Sequence, residues 1–181
     1  MAVFMKRTAA VTALLTALFA WLHHLTAIEP FLPLAITAGT FCYHLTMRLA
    51  AGWTVDHVMK NHADYTRRWY QPRTFEERLY QLLRVHAWKR IMPTYDPALF
   101  TVRNRDFDKL CQVMCQAEVV HECIIPLSFL PLLAALHFGT FPAFLITSVL
   151  AALVDSAFVI LQRYNRPRIV MLAEKQKQRT K

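Results

Sequence analysis

Glu118, His121 and Glu122 lie three and four residues apart, so on a helix they share one turn of one face. Ionisable groups of this kind cost several kcal/mol inside a membrane and mark function by default. Further along, Ser148, Asp155 and Gln162 recur every seven residues, within about 20° per heptad of one line along a helix. Packing the two stripes together would satisfy each with the other. The plainer alternative is that Asp155 only hydrogen-bonds a neighbouring helix while the Glu/His turn caps an interface. Three such groups on one turn favour a site.

Imidazole, carboxylate and thiol are also metal ligands, but their spacing here is wrong for the familiar centres. His121-Glu122-Cys123-Ile124-Ile125 begins like a zincin HExxH and ends on isoleucine, so the second zinc ligand is missing. His23-His24 and the pair His57 and His62 do not make the repeated histidine boxes of a membrane di-iron site. Cys42, Cys111, Cys115 and Cys123 contain no CxxC pair. Cys111 and Cys115 read as small buried packing residues one turn apart. No metal ligand set and no resident cofactor is assigned. With 3 glycines in the chain, phosphate-cradling glycine loops are excluded, and there is no GxSxG elbow.

The elements that must hold these residues are apolar. Of 181 residues, 55% are hydrophobic and only 18% charged, which excludes disordered and collagen-like chains and argues against an ordinary soluble domain. Four runs are long enough to cross a hydrocarbon core of about 30 Å: 8–28, 31–50, 117–138 and 141–162. The expected fold is all-α, a polytopic membrane protein with four transmembrane helices and one membrane domain over residues 1–181. A cleaved signal peptide competes for residues 1 to 28, but no small-x-small cleavage site follows the run.

The net charge of +9 would suit a nucleic acid or an anionic membrane face, and its placement selects the membrane. Lys6 and Arg7 precede the first run, eleven Lys/Arg lie between residues 51 and 110, and seven follow Leu161. None lies around Glu29-Pro30 or Phe138-Gly139-Thr140. By the positive-inside rule, both termini and the segment 51–116 are expected on the cytoplasmic side of the cell membrane. Pro72, Pro93 and Pro97 break up that segment. In RTFEERLYQLLRVHAWKRIMP, Phe75, Leu79, Leu82, Leu83, Val85 and Ile91 recur near helical spacing while Arg73, Glu76, Arg84, Lys89 and Arg90 take the remainder. An amphipathic helix lying on the leaflet is expected there.

Directly after the last run stands Gln162-Arg163-Tyr164-Asn165-Arg166-Pro167-Arg168. With Phe75-Glu76, Leu79-Tyr80, Trp88-Lys89, Met92-Pro93 and the Glu118-x-x-His121 spacing, it resembles the glycosyl-4,4'-diaponeurosporenoate acyltransferase family of staphyloxanthin-type carotenoid synthesis. Phe75 stands where that family has tryptophan, and the glycine expected before the Leu-Tyr pair is absent.

The resemblance implies transfer of a fatty acyl group from a carrier thioester to a hydroxyl of a glycosylated lipid or similar membrane acceptor. Acyl-CoA or acyl carrier protein would be the donor substrate, and its negative charge gives a use to the basic cytoplasmic face. His121 would be the general base, with Glu118 or Glu122 orienting its imidazole. Arg163, Asn165 and Arg166 could hold donor phosphates or the oxyanion, with Gln162, Asp155, Trp88 and Lys89 also on the substrate side. Membrane lipid and acyl donor are the expected partners. Two other classes stay open: a non-catalytic membrane scaffold or assembly subunit, and a metal-dependent lipid-modifying enzyme.

Overall fold

Long apolar runs satisfy their backbone polar groups internally by coiling, and every long run of this chain is helical. A computed structural model describes residues 2–89, 91–92 and 106–179. Among these residues the fold is all-helical with no strand. The elements are α1 (Ala2–Thr26), α2 (Phe31–Met59), α3 (Glu76–Leu82), α4 (Val85–Trp88), α5 (Phe107–Leu127), α6 (Ala135–Phe138) and α7 (Phe141–Arg179), with 3₁₀ turns at Arg68–Tyr70 and Leu130–Ala134. Expectations resting on Arg90, Pro93 and Pro97 lie outside the described residues.

Three of the four expected spans are long and apolar enough to cross a membrane: Val3–Thr26, Phe107–Phe138 and Phe141–Arg179. The second expected span, 31–50, is helical within α2 but falls short in hydropathy. Tyr43, His44 and Arg48 interrupt it, and Thr37, Thr40 and Thr46 dilute it. The third helix begins at Phe107, ten residues before the expected 117. Asp106 explains the early start, since its Oδ1 accepts the Asp108 N–H at 2.9 Å, and Gln176 Oε1 accepts the Phe107 N–H at 3.1 Å.

Internal packing groups the chain into two compact units, Met1–Gly52 with Ile124–Ala152 and Trp53–Cys123 with Leu153–Lys181. The first unit is apolar. Thr8, Thr12, Thr16 and Thr26 each donate to the carbonyl four residues back at 2.7–2.9 Å, which lets hydroxyls sit in an apolar helix. Pro131 has no N–H to offer the Leu127 carbonyl, and the Tyr43 hydroxyl donates to it instead at 2.7 Å. Gly139 (φ +70°) and Thr140 (φ +50°) turn the chain into α7. Leu14, Leu25, Leu133, Leu136, Ile146 and Leu150 are exposed, as suits a surface that faces lipid.

In the second unit α5 and α7 run antiparallel. Phe107 and Asp108 at the start of α5 meet Gln176 and Lys177 near the end of α7. Glu118 meets Arg163 and Arg166, and His121 meets Asp155. The buried face of α5 carries Cys111, Cys115 and Glu118, four and three apart. In this unit the buried residues of α7 are Asp155, Gln162, Arg166 and Ala173. The loop residues Ala63 and Tyr70 pack with Cys115, flanked by Met59, Tyr65 and Val119.

The amphipathic helix expected over residues 73–91 is broken in two. Arg84, between α3 and α4, is left-handed at φ +49°, and its N–H reaches the Gln81 carbonyl at 3.1 Å. Helices end in this way most readily at glycine. Left-handed backbone costs a non-glycine residue roughly 1–2 kcal/mol. Arg84→Gly should therefore stabilise the protein by about 0.5–1 kcal/mol after glycine's greater loss of chain entropy, read as a small rise in thermal midpoint in detergent. Phe75, Leu82, Leu83 and Ile91 remain exposed.

Candidate active site

His121 sits half-buried on α5, and its Nδ1 lies 2.9 Å from Oδ1 of Asp155 on α7. Asp155 is itself 1% exposed. The His121 ring stacks on Phe158, three residues along α7, with centroids 4.6 Å apart and planes at 7°. A carboxylate on one edge and a phenyl ring on one face together fix the imidazole. With the aspartate ionised, Nδ1 carries the proton and Nε2 is left with its lone pair. That is the state in which an imidazole accepts a proton.

The carboxylate at His121 is thus Asp155, where Glu118 or Glu122 was expected. Both glutamates are engaged elsewhere. Glu118 is fully buried and accepts hydrogen bonds from Arg163 Nη1 at 2.6 Å and from Arg166 Nη1. Glu122 Oε2 accepts the Trp69 indole N–H at 3.0 Å. Arg163 also grips Glu76 Oε1 through Nε at 2.7 Å and Nη2 at 2.5 Å. Two carboxylates and two guanidiniums therefore balance in a nearly water-free cluster, the arrangement in which a buried charge is tolerated.

The same arginines hold a loop. Arg163 donates to the carbonyls of Trp69 at 3.1 Å and Gln71 at 3.0 Å, and Arg166 to the Tyr70 carbonyl at 2.6 Å. These acceptors belong to the 3₁₀ turn Arg68–Tyr70 and the residue after it, where no regular ladder supplies donors. Arg166 also lies over the Tyr70 ring, 5.2 Å from its centroid. Glu76 accepts the Tyr80 hydroxyl at 2.9 Å. Burial first, and that bond second, push the Tyr80 phenol well above its ordinary range, so it stays a neutral donor.

Trp88 and Lys89 take partners other than His121. The Trp88 indole donates to the Leu83 carbonyl at 2.9 Å, while Lys89 Nζ sits 4.9 Å above the Tyr164 ring. Arg168 approaches that ring at 5.3 Å, and Tyr80 meets it edge-on. Gln162 is buried and Asn165 half-buried on α7. Glu76, Trp69 and the loop carbonyls are the contributors missed by sequence reasoning. Among the described residues, no three His, Cys, Asp or Glu side chains are grouped as around a metal ion.

Residues 66–175 match the family model for glycosyl-4,4'-diaponeurosporenoate acyltransferase (CrtO). No curated protein and no solved structure matches the chain. The matched stretch begins just before the loop and contains Glu76, Glu118, His121, Asp155, Arg163 and Arg166. The chain belongs to the glycosyl-4,4'-diaponeurosporenoate acyltransferase family, and it is an acyltransferase.

Proposed function

We propose that this acyltransferase moves a fatty acyl group from a carrier thioester, on coenzyme A or acyl carrier protein, to a hydroxyl of a glycosylated lipid or similar membrane acceptor. The observation that carries this reading is the His121–Asp155 pair inside the family-matched stretch. His121 Nε2 takes the proton as the acceptor oxygen attacks the thioester carbon. The tetrahedral oxyanion then collapses, the C–S bond breaks, and the departing thiolate recovers the proton from the imidazolium. Asp155 holds the ring and stabilises its charged form. Gln162, on the same buried stripe as Asp155 and one turn beyond Phe158, is the amide nearest in sequence to serve the oxyanion. Arg163 and Arg166 frame the site, because carboxylates and carbonyls already occupy their donors.

Lipid extracts from cells with and without the gene should differ by a species heavier by one fatty acyl group. Identical extracts from cells shown to contain the protein would overturn the reading.

Residues 51–116 and 163–181 carry nearly all the basic charge, which supports a cytoplasmic location for them under the positive-inside rule. A donor thioester made in the cytoplasm can reach a site there. Placing the N-terminus on that side too requires α2 to cross despite its weaker hydropathy. A cysteine introduced at exposed Thr66, with Cys42 and Cys123 replaced by serine and only buried Cys111 and Cys115 left, should react with an impermeant maleimide only after the membrane is opened. Labelling of intact cells would invert the orientation.

A further inference from the structure

The arginines expected to bind donor phosphate, Arg163 and Arg166, are neutralised by Glu76 and Glu118. What they hold is the backbone of residues 69–71. On that stretch opens a cleft of about 600 Å³, lined by Arg68, Trp69, Gln71, Pro72 and Arg73. Its volume falls in the range of small-molecule sites, about 300–1,000 Å³. Two guanidiniums line it and no carboxylate does. Nearby Arg67 faces Asp64 at 3.8 Å, whereas Arg68 and Arg73 are exposed and, among the described residues, have no carboxylate partner.

Exposed arginines alone would be an ordinary solvated surface, but this cleft has fixed walls. Trp69 is tied at three points: its indole to Glu122, its carbonyl to Arg163, and its ring face to Arg73, whose Cζ lies 5.9 Å from the ring centroid. A planar fork of donors beside an anchored aromatic wall suits one ligand chemistry, a phosphate ester with an apolar or aromatic portion. We propose that the cleft formed by Arg68, Trp69, Gln71, Pro72 and Arg73 is a phosphate-ester site, with Arg68 and Arg73 clasping the phosphate and Trp69 packing against the organic part. The phosphate can come from the coenzyme A arm of the donor or from a membrane lipid. As donor recognition the assignment rests on the acyl-transfer reading, but phosphate binding does not depend on His121.

The test is direct binding to the full-length protein in a neutral detergent, with coenzyme A in one arm and short-chain phosphatidic acid in the other. Wild-type protein should bind one of them, more weakly as salt rises. Arg68→Gln/Arg73→Gln should weaken that binding about tenfold or more, since charge-assisted bidentate bonds are lost. Binding of coenzyme A identifies the donor as the source, and binding of phosphatidic acid identifies the lipid. The thermal midpoint of the double variant checks its fold. If it fails to fold, the two single substitutions are read instead. Absence of binding in both arms, or binding unchanged in the arginine variants, would overturn the site and leave the His121 mechanism standing. Conversely, arginine-dependent binding alongside a fully active His121→Ala protein would remove the mechanism and keep the site.

Discussion

His121→Ala is expected to lower turnover by about 10² or more, the usual size of general-base catalysis, in protein that remains folded and membrane-inserted. His121 is only half-buried, and its hydrogen bond to Asp155 lies outside the arginine cluster, so its loss leaves that cluster intact. Asp155→Asn should have an effect of about 10²–10⁴ through a different route. The asparagine amide presents a donor to Nδ1 as readily as an acceptor, and the ring can settle in the tautomer that places its proton on Nε2. Product formation from a labelled thioester, normalised to folded protein, is the measurement. Full activity in folded His121→Ala protein would remove the imidazole from the reaction.

Glu118→Gln should act on folding before it acts on chemistry. The glutamate is fully buried between two guanidiniums, and neutralising it leaves charge without compensation. Breaking one partner of a buried ionic group costs roughly 3–5 kcal/mol. For a chain of this size that lowers the thermal midpoint by roughly 10 °C or more. Activity in Glu118→Gln should fall in proportion to the folded fraction, whereas in His121→Ala the loss of turnover should far exceed any loss of folded protein. A stable but inactive Glu118→Gln enzyme would instead place this carboxylate in the reaction itself.

Asp155 was legible in the sequence because an acid within an otherwise apolar run has few tolerable fates, and its heptad spacing with Gln162 marked the face it would share. The Glu118 and His121 turn was legible on the same grounds. Which partner each group takes was not. Sequence proximity suggested glutamate for His121, but neighbours one turn apart on α5 can each face a different turn of α7, and the antiparallel register decides the pairing. The loop carbonyls were invisible because every residue has one, and only the folded chain shows which lack a ladder partner. The α3–α4 break escaped for a related reason: Arg84 is no helix breaker by type, and its left-handed backbone is imposed by context. The α2 shortfall came from judging the run by its scarcity of acids and bases, although threonine, tyrosine and histidine lower hydropathy without formal charge and Arg48 lies near its end.

Because Arg163 and Arg166 grasp residues 69–71 by their carbonyl oxygens, these hydrogen bonds do not depend on the side chains at 69 and 71, while Tyr70 belongs to the frame through its buried ring. Frame and recognition surface can therefore change separately. A relative could rewrite positions 68, 69 and 71–73 to accept a different headgroup or carrier while Tyr70 and the buried ionic clamp stay as they are. For an engineer, this short stretch is the place to graft new specificity. The clamp, in which each charge answers for another, is the part to leave untouched.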